Sequence, residues 1–135
     1  MDAPTKENTL YLPIKQIYFD EIVAGTKKAE YREIKDTTAN RYLLSKDGAL
    51  LYDESLASPD NSDLGYIDFY NDGVYPYLPK PYKYLSLAVG YAKERDTMLV
   101  EVTGTTFEPH HILGNQYAFW VIVYHLGNVV ELHRK

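Results

Sequence analysis

A chain of 135 residues, 45% hydrophobic and 24% charged, has the size and composition of one folded domain with its own core. It holds no cysteine, which excludes disulfides and thiolate metal sites, and no apolar run reaches the length of a membrane helix. A formal net charge of −5 and a pI near 5.3 run against strong binding to duplex DNA; a contact with RNA or a nucleotide needs a local cleft within an acidic shell.

Residues 1–8 are polar and read as a short mobile arm, followed by a single domain over 9–135. The opening MDAPTKENT has neither the basic nor the apolar part of a signal peptide; with the absent cysteines this points to the cytoplasm. Thr9 to Ile14 predicts a brief strand, with Pro13 ending it or lying on an edge. From Lys15 to Ala24, the apolar residues Ile17, Tyr18, Ile22 and Val23 fall on a helical stripe, and Gly25 is placed to stop the helix. Lys28 to Ile34 alternates Ala29 and Tyr31 with Lys28, Glu30 and Arg32, a half-buried strand with its charges on one face. Ala39 to Lys46 predicts a second short helix with Tyr42, Leu43 and Leu44 as its apolar content.

Asp47 to Asp63 reads as loop around a short strand at Leu50–Tyr52, followed by a strand at Leu64–Tyr70 and a turn at Asn71-Asp72-Gly73. The prolines of VYPYLPKPYKY, 74–84, forbid a central strand or helix and predict an extended loop with exposed aromatics. Tyr84–Ala92, Met98–Phe107 and Tyr117–Tyr124 are rich in β-branched, leucine and aromatic residues and predict three strands. Glu94-Arg95-Asp96 joins the first two and the Pro109–Asn115 region the next; Gly127-Asn128 reads as a turn or kink before a last strand, Val129 to His133. The whole suggests an α+β domain built on a small mixed β-barrel with one or two short flanking helices.

The familiar catalytic fingerprints are missing. There is no GxSxG, P-loop or GxGxxG, and His110, His111, His125 and His133 lack paired-ligand spacing, so neither metal nor organic cofactor is expected. Tyrosines 66, 70, 75, 77, 82, 84 and 91 crowd the middle of the chain beside Lys80 and Lys83. Packing is the better reading for Tyr66, Tyr84 and Tyr91, which fall in strands; Tyr75, Tyr77 and Tyr82 could equally stack on bases. The octapeptide GTKKAEYR, 25–32, admits two readings. Lys28, Glu30 and Arg32 are either a ladder on a solvent-facing strand or part of a site. Lys27, Lys28, Arg32, Lys35 and Arg41 concentrate positive charge in an acidic chain, as a cleft for an anion requires.

FDEIVAGTKKAEYR resembles the signature of ASCH domains, a helix running through a glycine into G-x-K-x-x-E-x-R, matched by Gly25, Lys27, Glu30 and Arg32. VGYAKERDTMLVEVTG at 89–104 is similar to that family's central strand pair and WVIVYHLGNVVEL at 120–132 to its closing strand. The resemblance is to small, single-domain bacterial or phage-type members. It implies a PUA-like barrel with the motif residues lining a cleft, and a role with RNA or a nucleotide or nucleoside. We expect Lys27, Glu30 and Arg32 at the floor of that cleft and Arg41 and Tyr82 at its rim. A subset of the family resembles metal-independent amidohydrolases of N4-acetylcytidine that use a lysine, a threonine and a glutamate. In that alternative Lys27 and Glu30 are catalytic, Glu30 stands where the threonine is expected, and Glu101 or Glu108 would supply the glutamate. A third reading is a protein-interaction module using the proline-tyrosine segment. Alternation puts Lys27 opposite Glu30 and Arg32, so the three converge only if the chain is still turning at Lys27.

Overall fold

The computed structural model describes residues 3–34, 39–45, 77–111 and 118–135. In chain order these form β1 (Thr9–Ile14), α1 (Gln16–Ala24), β2 (Ala29–Glu33), α2 (Ala39–Tyr42), β3 (Leu43–Ser45), β4 (Tyr77–Pro79), β5 (Tyr84–Val89), β6 (Thr97–His111) and β7 (Ala118–His133). The class is α+β. A five-stranded sheet has the order β1-β5-β6-β7-β2, with β1 and β2 at its open edges, and β3 and β4 make a separate ribbon. The sheet is mixed, because β1 pairs parallel to β5 and β5 antiparallel to β6. The expected strands at Leu50–Tyr52 and Leu64–Tyr70 and the Asn71–Gly73 turn lie outside the described residues.

The chain divides into two compact units, one of Met1–Glu30, Pro81–Gly104 and Tyr124–Lys135, the other of Tyr31–Lys80 and Thr105–Val123. In the first unit, alternation sends Leu10, Leu12 and Ile14 of β1, Leu85 and Leu87 of β5, and Met98 and Val100 of β6 into the core. Each such side chain contributes roughly 1.5–3 kcal/mol on burial. Pro13 sits where β1 is an edge, so its missing N–H costs no central ladder bond. Ahead of β1, Thr5 and Asn8 exchange side-chain-to-backbone hydrogen bonds at 2.7 and 3.1 Å, closing a turn.

Helix α1 stops where the sequence predicts. Gly25 takes φ 81°, a left-handed conformation that glycine adopts without strain, and its N–H donates to the Ile22 carbonyl at 3.1 Å. The buried face shares only Ile22 with the expected stripe. Phe19 and Ile22 are buried, while Ile17, Tyr18 and Val23 are 64%, 42% and 36% exposed. Tyr91, expected to pack inside a strand, lies beyond the end of β5 and is 86% exposed. Gly90 turns the chain there with φ 68°, the Arg95 guanidinium donates to the Gly90 carbonyl at 2.9 Å, and Val89 N–H donates to the Asp96 carbonyl at 3.0 Å.

The expected turn at Gly127-Asn128 is absent, and β7 runs through it as one strand. Glycine is needed there for close approach: an added Cβ would stand 2.8 Å from Thr103 Cγ2 and 3.1 Å from Glu101 Oε1. Asn128 N–H donates to that same Glu101 oxygen at 2.9 Å.

In the second unit the expected helix over 39–46 is only its first half; Leu43 to Ser45 leave it as β3. Their partner is β4, in the segment expected to be loop: Leu43, Leu44 and Ser45 face Pro79, Leu78 and Tyr77. A two-stranded ribbon accepts Pro79 because it ends the ladder, and Lys80 N–H then donates to the Tyr42 carbonyl at 2.8 Å. Among the described residues, Ile34, Tyr42, Leu43, Phe107, Val121, Ile122 and Val123 are the buried apolar side chains of this unit. Among the described residues no helix is long and apolar enough to cross a membrane.

Candidate functional site

The Gly25–Arg32 segment starts from the cap of α1. Beyond Gly25 the N–H groups of Thr26 and Lys27 both donate to the Glu21 carbonyl, at 3.0 and 3.1 Å, and β2 begins only at Ala29. The chain is therefore still turning at Lys27, and strand alternation does not dictate where that side chain goes. Its Nζ lies 5.1 Å from the centre of the Tyr18 ring. Lys28 is exposed, and its carbonyl accepts from Leu126 N–H at 2.9 Å, tying the entry of β2 to β7.

On β2 the burial pattern reverses the usual order. Glu30 is buried at 6% exposure, with its Oε2 sealed from solvent, whereas Tyr31 is 45% exposed. Glu30 points inward and Tyr31 outward, so a ladder on a solvent-facing strand does not describe Glu30. A buried carboxylate is retained only where hydrogen bonds or opposite charge compensate its desolvation. Arg32 follows on the same strand face by alternation and is half-buried. Arg32 and Arg41 belong to the second unit, and Arg41 is exposed on α2. Lys27, Glu30 and Tyr82 belong to the first. Tyr82 is half-buried and meets the buried Tyr124 edge-on, with centroids 6.5 Å apart and planes at 68°. Lys35 and Tyr75 lie outside the described residues.

The two glutamates considered for the hydrolase alternative differ. Glu101 is buried at 8% exposure in the first unit and uses Oε1 to hold Asn128 N–H; Glu108 is half-buried in the second unit. His125 is half-buried and His133 exposed. Among the described residues no group of three or more His, Asp or Glu side chains is arranged to hold a metal.

Sequence reasoning missed a second polar cluster, at Arg134. Its guanidinium donates to Asp20 and to Asp96, each at 2.9 Å, and lies over the Phe19 ring, 5.1 Å from its centre. Gln16 bridges the same two carboxylates at 3.0 and 2.9 Å, and Lys135 N–H donates to Asp96 at 3.0 Å. The Lys135 amide, then Gln16 and Arg134, hold the Asp96 carboxyl well below its ordinary value, at about 2. Arg134, then Gln16, lowers Asp20, and Asp20 and then Asp96 raise Arg134. No short motif marks such a cluster, because its members are dispersed along the chain. Tyr18 and Tyr124, the aromatic partners of Lys27 and Tyr82, were likewise legible only as apolar content of a helix and a strand.

Compared with protein-family models, curated proteins and solved structures, the chain matches none of them.

Proposed function

We propose that the chain is an ASCH-type domain of PUA-like, small-barrel architecture that binds RNA or a nucleotide-like ligand through the Gly25–Arg32 segment. The observation that carries this reading is the inward turn of Glu30 beside an outward Tyr31. A strand that merely displays charge to water has no reason to bury a carboxylate at its centre. The left-handed Gly25 and the turning backbone at Lys27 fit a helix stop that delivers a lysine ahead of that strand. In this role Glu30 accepts hydrogen bonds from an exocyclic amine, Lys27 supplies a point charge, and Arg32 a planar fork for a phosphate or base edge. Arg41 and Tyr82 are the further contacts the reading assigns. It places the protein in the cytoplasm, with no metal or organic cofactor.

Binding is favoured over hydrolysis of acylated nucleosides by the state of two residues. Glu30 stands where the hydrolase resemblance expects a threonine, and the Glu101 carboxylate already accepts a backbone N–H. The test is calorimetric titration of a panel of nucleosides, nucleotides and short RNAs into wild type, Arg32→Ala and Lys27→Ala. Affinity for at least one member should fall in both variants; a panel that binds all three proteins equally would remove the site. Turnover of N4-acetylcytidine above that of Lys27→Ala would replace the binding reading with the hydrolase.

A further inference from the structure

Away from the Gly25–Arg32 segment, the first unit carries two adjoining cavities on the solvent side of its sheet, of about 510 and 370 Å³. Strand register explains why they meet. Tyr11 of β1 faces Ser86 of β5, which faces Leu99 of β6, and the next row sets Pro13 beside Ala88 and Thr97. Alternation turns these residues away from the core formed by Leu10, Leu12, Leu85, Leu87, Met98 and Val100. Tyr11, Ser86 and Thr97 line both cavities and so form the seam of one groove.

The groove has two features that sheet faces turned to water do not need. It exposes large aromatic rings, with Tyr11 63% and Tyr91 86% accessible. It also gathers positive charge, for Lys6 lines one cavity and Arg95 the other, against a single lining carboxylate, Glu131, in a chain of net charge −5. Arg95 is not loosely displayed: its bond to the Gly90 carbonyl holds it across the turn that presents Tyr91. From Ser86 to the end of β5 at Val89 the strand advances about 10 Å, the rise of roughly three stacked bases at about 3.4 Å each. Apolar rings beside cations, on a face with hydroxyls at Ser86 and Thr97, suit unpaired bases that stack while their phosphates are neutralised.

We infer that this groove is a binding surface for single-stranded nucleic acid, with bases stacking on Tyr11 and Tyr91 and phosphates held by Lys6 and Arg95. It uses none of the residues of the Gly25–Arg32 segment and stands independently of that reading.

The test is fluorescence anisotropy of a labelled poly(U) strand of about twelve nucleotides, within the span one small binding face covers. Tyr11→Ser and Tyr91→Ser should each weaken binding on the order of tenfold, since stacking of one base is typically worth that much or more. Lys6→Gln should flatten the plot of log affinity against log salt by about 0.7, as loss of one phosphate contact requires. Both tyrosines are exposed, so an unchanged Tm separates lost contacts from lost fold. Lys27→Ala should leave the effect of Tyr11→Ser in place, so this groove and the Gly25–Arg32 segment fail separately. The inference is overturned if wild type does not bind the strand, if the tyrosine variants bind it as well as wild type, or if a duplex binds equally tightly. It is also overturned if sedimentation shows a self-associated species that Tyr11→Ser dissolves, for then the face belongs to a second copy of the chain.

Discussion

Replacing Gly127 with alanine tests why a Gly-Asn pair lies inside an unbroken strand. The new Cβ would stand 2.8 Å from Thr103 Cγ2, 3.1 Å from Glu101 Oε1 and 3.2 Å from Glu101 Cβ, where carbon pairs prefer about 3.5–4.0 Å. Neither neighbour can move without loss. Rotating Thr103 gives up the bond from its hydroxyl to the His125 carbonyl at 3.2 Å, and shifting Glu101 gives up Asn128 N–H at 2.9 Å. Overpacking costs about 1–3 kcal/mol, and a hydrogen bond to a charged group about 1.5–3 kcal/mol. Because relaxation spares one or the other, we expect Gly127→Ala to lose about 1–3 kcal/mol, or roughly 8 °C in Tm for a domain of this size. Urea unfolding followed by far-UV circular dichroism should show the midpoint fall with an unchanged slope. Thr103→Ser removes Cγ2 but keeps the hydroxyl, so in the alanine background it should restore about 1 kcal/mol, a coupling that distant residues do not show. A loss below about 0.5 kcal/mol, or no recovery with Thr103→Ser, would refute the close-approach argument.

Three further outcomes follow from the first unit. Gly25→Ala should cost about 1 kcal/mol because alanine is strained in the left-handed cap, with Gly25→Asn milder; equal stability of all three proteins in urea would show that the cap does not need the glycine. Phe19→Ala should cost about 3–5 kcal/mol while Ile17→Ala stays within about 0.5 kcal/mol, and the reverse order would mean that α1 buries its other face. The Asp96 carboxyl titrates at about 2 in the folded chain, below its unfolded value, so the stability it contributes is complete above about pH 4 and lost as pH falls toward 2. Asp96→Asn should flatten the stability curve across that window, and a curve as steep as wild type would exclude the Arg134 cluster as its source.

Punctuation was what made the fold readable. Gly25 after an apolar stretch marked the end of α1, and Glu94-Arg95-Asp96 marked the turn between β5 and β6. Where a signal was ambiguous, tertiary context decided. Ile17, Tyr18, Phe19, Ile22 and Val23 cover so much of the helix circumference that periodicity alone could not choose Phe19 and Ile22 as the inner face. Gly127-Asn128 has turn chemistry, yet a glycine also serves where a neighbouring side chain crowds the backbone, and the sequence does not separate the two uses. In the segment predicted as loop, β4 was hidden by prolines that a two-stranded ribbon tolerates and a central strand does not. At the candidate site, alternation groups Glu30 with Arg32 on β2, but it could not say which face was inside. The sequence left both a solvated ladder and a site open for Glu30; packing buries Glu30 and exposes Tyr31. Lys27 was uncertain because its side depended on where the turn after Gly25 ends, which is fixed by two hydrogen bonds to the Glu21 carbonyl.

The central claim is that the inward face of the motif strand serves a ligand. Its most direct test compares Glu30→Gln, which keeps the shape of the buried side chain, with Tyr31→Ser, which alters only the outward face of the same strand. Calorimetric titration with cytidine, cytidine monophosphate and a short unpaired RNA should reveal a ligand that wild type binds. Glu30→Gln should weaken that binding at least on the order of tenfold, the worth of one charge-assisted hydrogen bond, at a temperature where both proteins are folded. Tyr31→Ser should leave it unchanged. Equal affinities for wild type and Glu30→Gln, or an equal loss in Tyr31→Ser, would contradict the account.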